Sequence, residues 1–256
     1  MFRYCLKETN RIFSFRYLFS VFGIYSLYVI LFYPKQDYVN FTFLEYFLSV
    51  FSSPYYFILM FQIILVYNLI KFQYPPALIL LLRAQRFSTF IIARLASITI
   101  FVLLVFCAHI IITAILAVGL NANNCFSIIE GIAINSKIKL FSIYSSYFST
   151  PVEAISVVFL YMVLGYILYS ILISCLLLFL RRKIAVCIIV LGYFATLLSV
   201  QRGIDSAAPL LFLNNYILLS NAIQYKIFPW SLVISLAVCF IAVMIMSWEW
   251  SRSKLW

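Results

Sequence analysis

Six times along this chain an apolar run approaches the length needed to cross a lipid bilayer, and that recurrence restricts the available folds more than any other feature. A helix covers roughly 30 Å of hydrocarbon with about 20 residues. Runs near that length fall at 17–33, 54–70, 95–120, 154–180, 184–200 and 229–248. Inside a bilayer the backbone finds no water to bond, so each run must satisfy its own polar groups as a helix. The expected fold class is therefore an all-α polytopic membrane protein with six transmembrane helices. Composition agrees, since 66% of the 256 residues are hydrophobic and 10% are charged, against roughly 45–50% and 25% in soluble domains. No small-residue cleavage site follows the first run, which reads as a retained helix. Gly119 and the asparagine-rich stretch 121–124 close the third run. Thr150-Pro151-Val152-Glu153 opens the fourth with capping-box spacing and proline at the first helical position.

Charge gives the orientation. The net charge of +11 might suggest nucleic acid, but that reading needs a basic face on a soluble domain, and none is available. Cytoplasmic loops of membrane proteins carry the excess of Lys and Arg. With both termini inside, thirteen of the 18 basic residues lie on the inner face, together with only Glu8 and Glu249. The outer loops 121–153 and 201–228, with the connection after the first run, hold the other five bases and five acids. Topology thus accounts for the whole net charge, and the location expected is the inner membrane of a bacterial cell. The six cysteines show no C-x-x-C spacing and suit neither a disulfide framework nor zinc.

Pro76–Arg94 tests the count. Its nine Leu, Ile and Phe residues favour insertion by about 3–5 kcal/mol, whereas three central arginines cost about 8–10 kcal/mol. The arginines prevail, and 77–94 is expected to stay cytoplasmic as a short helix along the membrane face. On it Arg83, Phe87, Phe90 and Arg94 repeat at i, i+4, i+7 and i+11 with Arg86 beside them, so cationic and aromatic groups share a face. As a bland alternative, these arginines only enforce topology. At the N-terminus, residues 1–16 form an expected amphipathic interfacial helix. Its basic residues Arg3, Lys7 and Arg11 would each contribute about 1 kcal/mol on anionic lipid.

Catalytic chemistry has no visible home. There is no G-x-S-x-G, no H-E-x-x-H and no phosphate-cradling G-x-x-x-x-G-K-[ST], so no catalytic residue, metal site or bound cofactor is expected. The six runs contain no Asp, Glu, Lys or Arg in their interiors, which argues against an ion-coupled carrier. His109, the only histidine, reads first as an interhelical hydrogen-bonding group; with Gln62 and Asn68 it is also a candidate for a substrate path. Phe41–Phe51 and Ala207–Ser220 are apolar but too short to cross, as expected of re-entrant or interfacial helices.

With six runs, a basic amphipathic start and the stretch Leu82-Arg83-Ala84-Gln85-Arg86-Phe87-Ser88-Thr89-Phe90-Ile91-Ile92-Ala93-Arg94-Leu95, the chain resembles the type-2 ABC exporter permeases of bacteria. It departs by carrying Phe90 where tryptophan is frequent and Arg94 where lysine is. The resemblance implies a permease that pairs with a second permease subunit and binds two copies of a cytoplasmic ABC ATPase. ATP and Mg would belong to that ATPase, not to this chain. Residues 77–94 would be the coupling helix, with Arg83, Arg86, Phe87, Phe90 and Arg94 facing the ATPase. Short re-entrant helices between spans five and six would fall at Ala207–Ser220. The alternative from another class is a non-transporting immunity or assembly factor that binds a partner in the bilayer.

Overall fold

The computed structural model describes residues 15–38, 40–73, 87–127, 136–202 and 209–253. Each of the six apolar runs is helical in it. In chain order the helices are α1 (Phe15–Phe32), α2 (Phe43–Phe51), a π-helix (Tyr55–Phe61) leading into α3 (Gln62–Gln73), α4 (Phe87–Leu116), α5 (Ser136–Ser145), α6 (Pro151–Phe179), α7 (Arg182–Arg202), α8 (Asn214–Ile217), α9 (Leu219–Gln224) and α10 (Trp230–Ser253). No strand occurs among the described residues; one isolated bridge joins Thr42 to Asn121.

Among the described residues three helices are long and apolar enough to cross a membrane: Leu95–Leu116, Pro151–Leu177 and Arg182–Val200. A fourth crossing is reached if Phe43–Phe51 and Tyr55–Ile70, bent by 42° at Ser52-Ser53-Pro54, count as one span. The apolar helices Phe19–Phe32 and Trp230–Ile241 are shorter.

α6 is the hub. It packs against α2, α3, α4, α7, α8 and α10, and its apolar window is 56% buried where that of α7 is 22% buried. The helix starts as its sequence dictates: the Thr150 hydroxyl accepts from Glu153 N–H and Pro151 occupies the first turn. The reciprocal half of the expected capping box is shifted by one residue, because the Glu153 carboxylate takes Ser149 N–H and hydroxyl at 3.1 and 3.0 Å. A full capping box instead opens α2, between Thr42 and Glu45.

Tyr46–Phe51 are buried and α2 packs on α6, and the 42° break after it fits either the re-entrant segment expected of Phe41–Phe51 or one broken span. The third run is helical from at least Phe87, eight residues before the apolar span, so Phe87, Phe90 and Arg94 belong to an unbroken α4 rather than to a separate short helix. Arg83, Arg86 and the N-terminal residues Arg3, Lys7 and Arg11 lie outside the described residues.

Between α7 and α10 the chain forms a broken segment, with a 3-10 turn at Pro209–Leu211 and then α8 and α9. Residues 214–220 are buried, and the break packs on the middle of α6. Gly165 makes that approach feasible, since a Cβ there would sit 2.2 Å from the Tyr216 carbonyl oxygen. Nearby, the Tyr161 hydroxyl donates to the Asn215 carbonyl at 2.6 Å and meets Ser231 Oγ of α10 at 2.8 Å.

At the end of the bundle where α2 and α6 begin, polar groups fasten the connections. Glu45 is fully buried and accepts from Thr42 N–H at 2.8 Å, Ser127 N–H at 2.7 Å and the Ser127 hydroxyl. Lys35 Nζ donates to the Val118 carbonyl beside Gly119, whose φ of +92° only glycine adopts readily. The Tyr144 hydroxyl of α5 bonds Ser52 at 2.6 Å, and burial pushes that phenol up to about 12, so it stays a neutral partner.

Candidate functional site within the bundle

The local oddity that builds the site is the π-helix. Its wider turn carries the Gln62 N–H back to the Phe57 carbonyl, five residues earlier, and leaves carbonyl lone pairs for other donors. Two tyrosines take them: Tyr166 of α6 donates to Phe57 O at 2.7 Å, and Tyr193 of α7 to Leu59 O at 3.2 Å. Single-turn π segments inside α-helices recur at functional sites. Here one turns Tyr56, Phe57 and Phe61 into the interior, where all three are fully buried.

Tyr56 meets His109. The ring Nδ1 lies 2.7 Å from the Val105 carbonyl and Nε2 lies 2.9 Å from the Tyr56 hydroxyl. A carbonyl can only accept, so Nδ1 carries the proton, and in the neutral ring Nε2 accepts from Tyr56. One turn on, Thr113 donates to the His109 carbonyl at 2.8 Å, and its oxygen therefore accepts from Tyr25 of α1 at 2.5 Å. Rings close the centre on every side: Tyr25 at 4.2 Å, Phe61 at 5.5 Å, Phe57 and Phe106 at 5.9 Å and Phe22 at 6.2 Å from the imidazole centroid. The imidazole thereby joins the π-helix to α4, and Thr113 one turn on joins α1 to α4. In a medium without water such bonds average about 0.6 kcal/mol, and their direction fixes the rotation of each helix.

The three candidates for a substrate path do not converge. His109 is locked to Tyr56. Asn68 is half-buried and donates to Ile64 O of its own helix at 2.8 Å. Gln62 is 1% exposed, and neither its amide nitrogen nor its oxygen has a hydrogen-bond partner. The Tyr169 hydroxyl of α6 reaches that amide without the geometry of a hydrogen bond. Ser170 and Ser174 of α6 are also buried with unpartnered hydroxyls. They follow Tyr166 at i+4 and i+8, on the α6 face that meets the π-helix and α3. The seam between α3 and α6 therefore holds three buried polar side chains whose hydrogen-bonding capacity is unused.

Sequence reasoning missed Ser170 and Ser174, along with Tyr56, Tyr25, Thr113 and Gly165. Serines four apart in an apolar run, and one of only six glycines at the middle of the longest run, were the available signals. Among the described residues no group of three or more His, Cys, Asp or Glu could hold a metal, and the five described cysteines are free thiols. Phe87, Phe90 and Arg94 lie in the first turns of α4, away from this centre. Comparison with known protein families, characterised proteins and solved structures finds no match for the chain.

Proposed function

We propose that the chain is the permease subunit of an ATP-driven ABC exporter, spanning a bacterial inner membrane six times with both termini in the cytoplasm. The observation that carries the reading is the continuity of α4. The arginine- and aromatic-bearing stretch does not end at a loop before the third span; from Phe87 onward it is the same helix. Phe87 and His109 are therefore separated by about 33 Å of unbroken helix at about 1.5 Å per residue. A partner pressing on the Phe87 end moves the His109 end as one body; His109 ties that motion to the π-helix and Thr113 ties it to α1.

Arg83, Arg86, Phe87, Phe90 and Arg94 form the docking face for two copies of a cytoplasmic ATPase, which holds the ATP and Mg. Arg3, Lys7 and Arg11 brace the assembly on anionic lipid, and a second permease subunit completes it. The broken segment after α7 supports the same reading, because a backbone break is tolerated at membrane depth only where protein or a water-filled cavity covers it, and here α6 covers it. The unpartnered Gln62, Ser170 and Ser174 lie where a moving substrate would find polar groups not already engaged.

The test is co-purification of the tagged chain with a span-free P-loop ATPase encoded beside it, and substrate-stimulated hydrolysis in nanodiscs. Phe87→Ala with Phe90→Ala keeps every charge, so a mere topology signal predicts wild-type behaviour. The docking reading predicts loss of about 2 kcal/mol or more per anchor and collapse of assembly. Arg83→Lys with Arg86→Lys keeps the positive-inside signal but removes the planar fork, and should also weaken assembly. A double Phe variant that inserts, assembles and stimulates hydrolysis like wild type refutes the proposal. A wild-type chain that captures no ATPase favours the immunity or assembly factor.

A further inference from the structure

At the end of the bundle where α2 and α6 begin, α5, the start of α6 and the strap 124–127 line an open pocket of about 580 Å³. That is within the range of roughly 300–1,000 Å³ in which small-molecule sites fall. Four phenylalanines, Phe41, Phe126, Phe141 and Phe148, form its apolar wall. Its polar wall is mostly serine, and the state of those hydroxyls sets what the cavity can recognise.

Each serine proton is already spent. Ser127 donates to the Glu45 carboxylate, Ser142 to the Lys139 carbonyl at 2.8 Å, Ser145 to the Ser142 carbonyl at 3.3 Å and Ser149 to the Glu153 carboxylate at 3.0 Å. Carbonyls and carboxylates cannot return a proton, so these four oxygens have only lone pairs to offer an occupant. Against them stand three side-chain donors in the wall: the weak Cys125 thiol, the Asn124 amide, whose oxygen accepts from Val152 N–H at 3.1 Å, and the Thr150 hydroxyl, whose oxygen accepts from Glu153 N–H at 3.4 Å. Ring faces attract cations as well, and the carboxylates of Glu45 and Glu153 lie immediately behind the serines. α5 carries two lysines, Lys137 and Lys139, and Lys139 is exposed to solvent.

We propose that this cavity binds an amphiphile joining an apolar body to a protonated amine. The ammonium supplies the N–H donors that the serine lone pairs lack, the phenylalanines hold the apolar body, and an anion is rejected by the two carboxylates. The inference does not rest on transport, and it stands or falls whether or not an ATPase partner exists.

Cys125 lines the cavity and is exposed, which provides a reporter. The full chain in nanodiscs is alkylated with a neutral, membrane-impermeant maleimide, and modification of Cys125 is followed by peptide mass. The probes are n-octylammonium, n-octanol and octanoate at equal concentration. Octylammonium is expected to slow Cys125 alkylation by about five-fold or more, and the other two by less than about two-fold. Ser142→Ala with Ser145→Ala, both on the exposed side of α5, should raise the half-protecting octylammonium concentration about ten-fold. A reporter at Ser146→Cys, outside the cavity, should be unaffected. Equal slowing by all three probes, equal slowing at the Ser146→Cys reporter, no slowing at all, or an unchanged half-protecting concentration in the double serine variant each overturns the proposal.

Discussion

The imidazole centre and the α3–α6 seam meet the element of the π-helix and α3 at consecutive turns, through Tyr56 and Gln62, and they treat buried polarity in opposite ways. Around His109 every donor has an acceptor: Tyr56 to Nε2, Nδ1 to Val105, Thr113 to the His109 carbonyl and Tyr25 to Thr113. Beginning at Gln62, the next residue after the π-helix, the buried polar atoms have none. A satisfied buried network rigidifies, whereas an unsatisfied buried group costs about 1–3 kcal/mol. The first region is therefore read as the fixed pivot of the bundle. The second is where stability has been given up for something other than stability.

The largest expected effect is at the pivot. His109→Ala removes a ring packed by six aromatic neighbours and its hydrogen bond with Tyr56, and should cost about 3 kcal/mol or more of unfolding free energy, measured by reversible unfolding in mixed detergent micelles. A loss below about 1 kcal/mol would erase the contrast between the two regions. Next comes Tyr166→Phe, which deletes the donor to the π-helical Phe57 carbonyl and should cost about 1 kcal/mol. Tyr193→Phe, with its longer 3.2 Å bond on a partly buried ring, should cost less than half of that; equal losses would show that the π-helix does not depend on α6 in particular. Gln62→Met should move the other way, leaving stability unchanged or raised by about 1 kcal/mol, because it replaces an unpartnered amide with an apolar chain of similar size. A clear destabilisation would show that Gln62 is paired after all. Smallest is Ser170→Ala with Ser174→Ala, expected within about 0.5 kcal/mol of wild type in stability. If the seam is functional, both seam variants should still lose transport in a reconstituted assay.

The sequence displayed the helices and hid most of the site. Every apolar run is helical because apolar length and backbone satisfaction in lipid leave one solution. The third span starts at Leu95 as expected, but the helix already includes Phe87: Arg94 opposes insertion into lipid, yet arginine is a good helix former. His109 was expected to bond across helices and does, to Tyr56. Tyr56 itself was not singled out, because a π turn rotates side chains away from the 3.6-residue register on which faces are assigned. Phe41–Phe51 looked too short to cross, and on its own it is; the 42° bend after Ser52 gives it a continuation that counting apolar residues does not reveal. Thr42-Phe43-Leu44-Glu45 had the spacing of a capping box and was overlooked. The pocket lined by Phe41 and residues of 124–150 depends on how the strap folds against α5, which no periodicity in that polar stretch announces.

The notch at Gly165 also bears on how the chain is made. The Tyr161 hydroxyl waits for a carbonyl 54 positions further along, which at about 5–20 residues per second emerges roughly 3–10 seconds later. Throughout that interval α6 carries a groove without its own filling, and lipid tails or a chaperone must cover it. α8 then has to displace that cover to dock, so the closing of the bundle is a late post-insertion event. A ribosome that stalls after α7 would release a chain whose central helix remains open to capture by quality control.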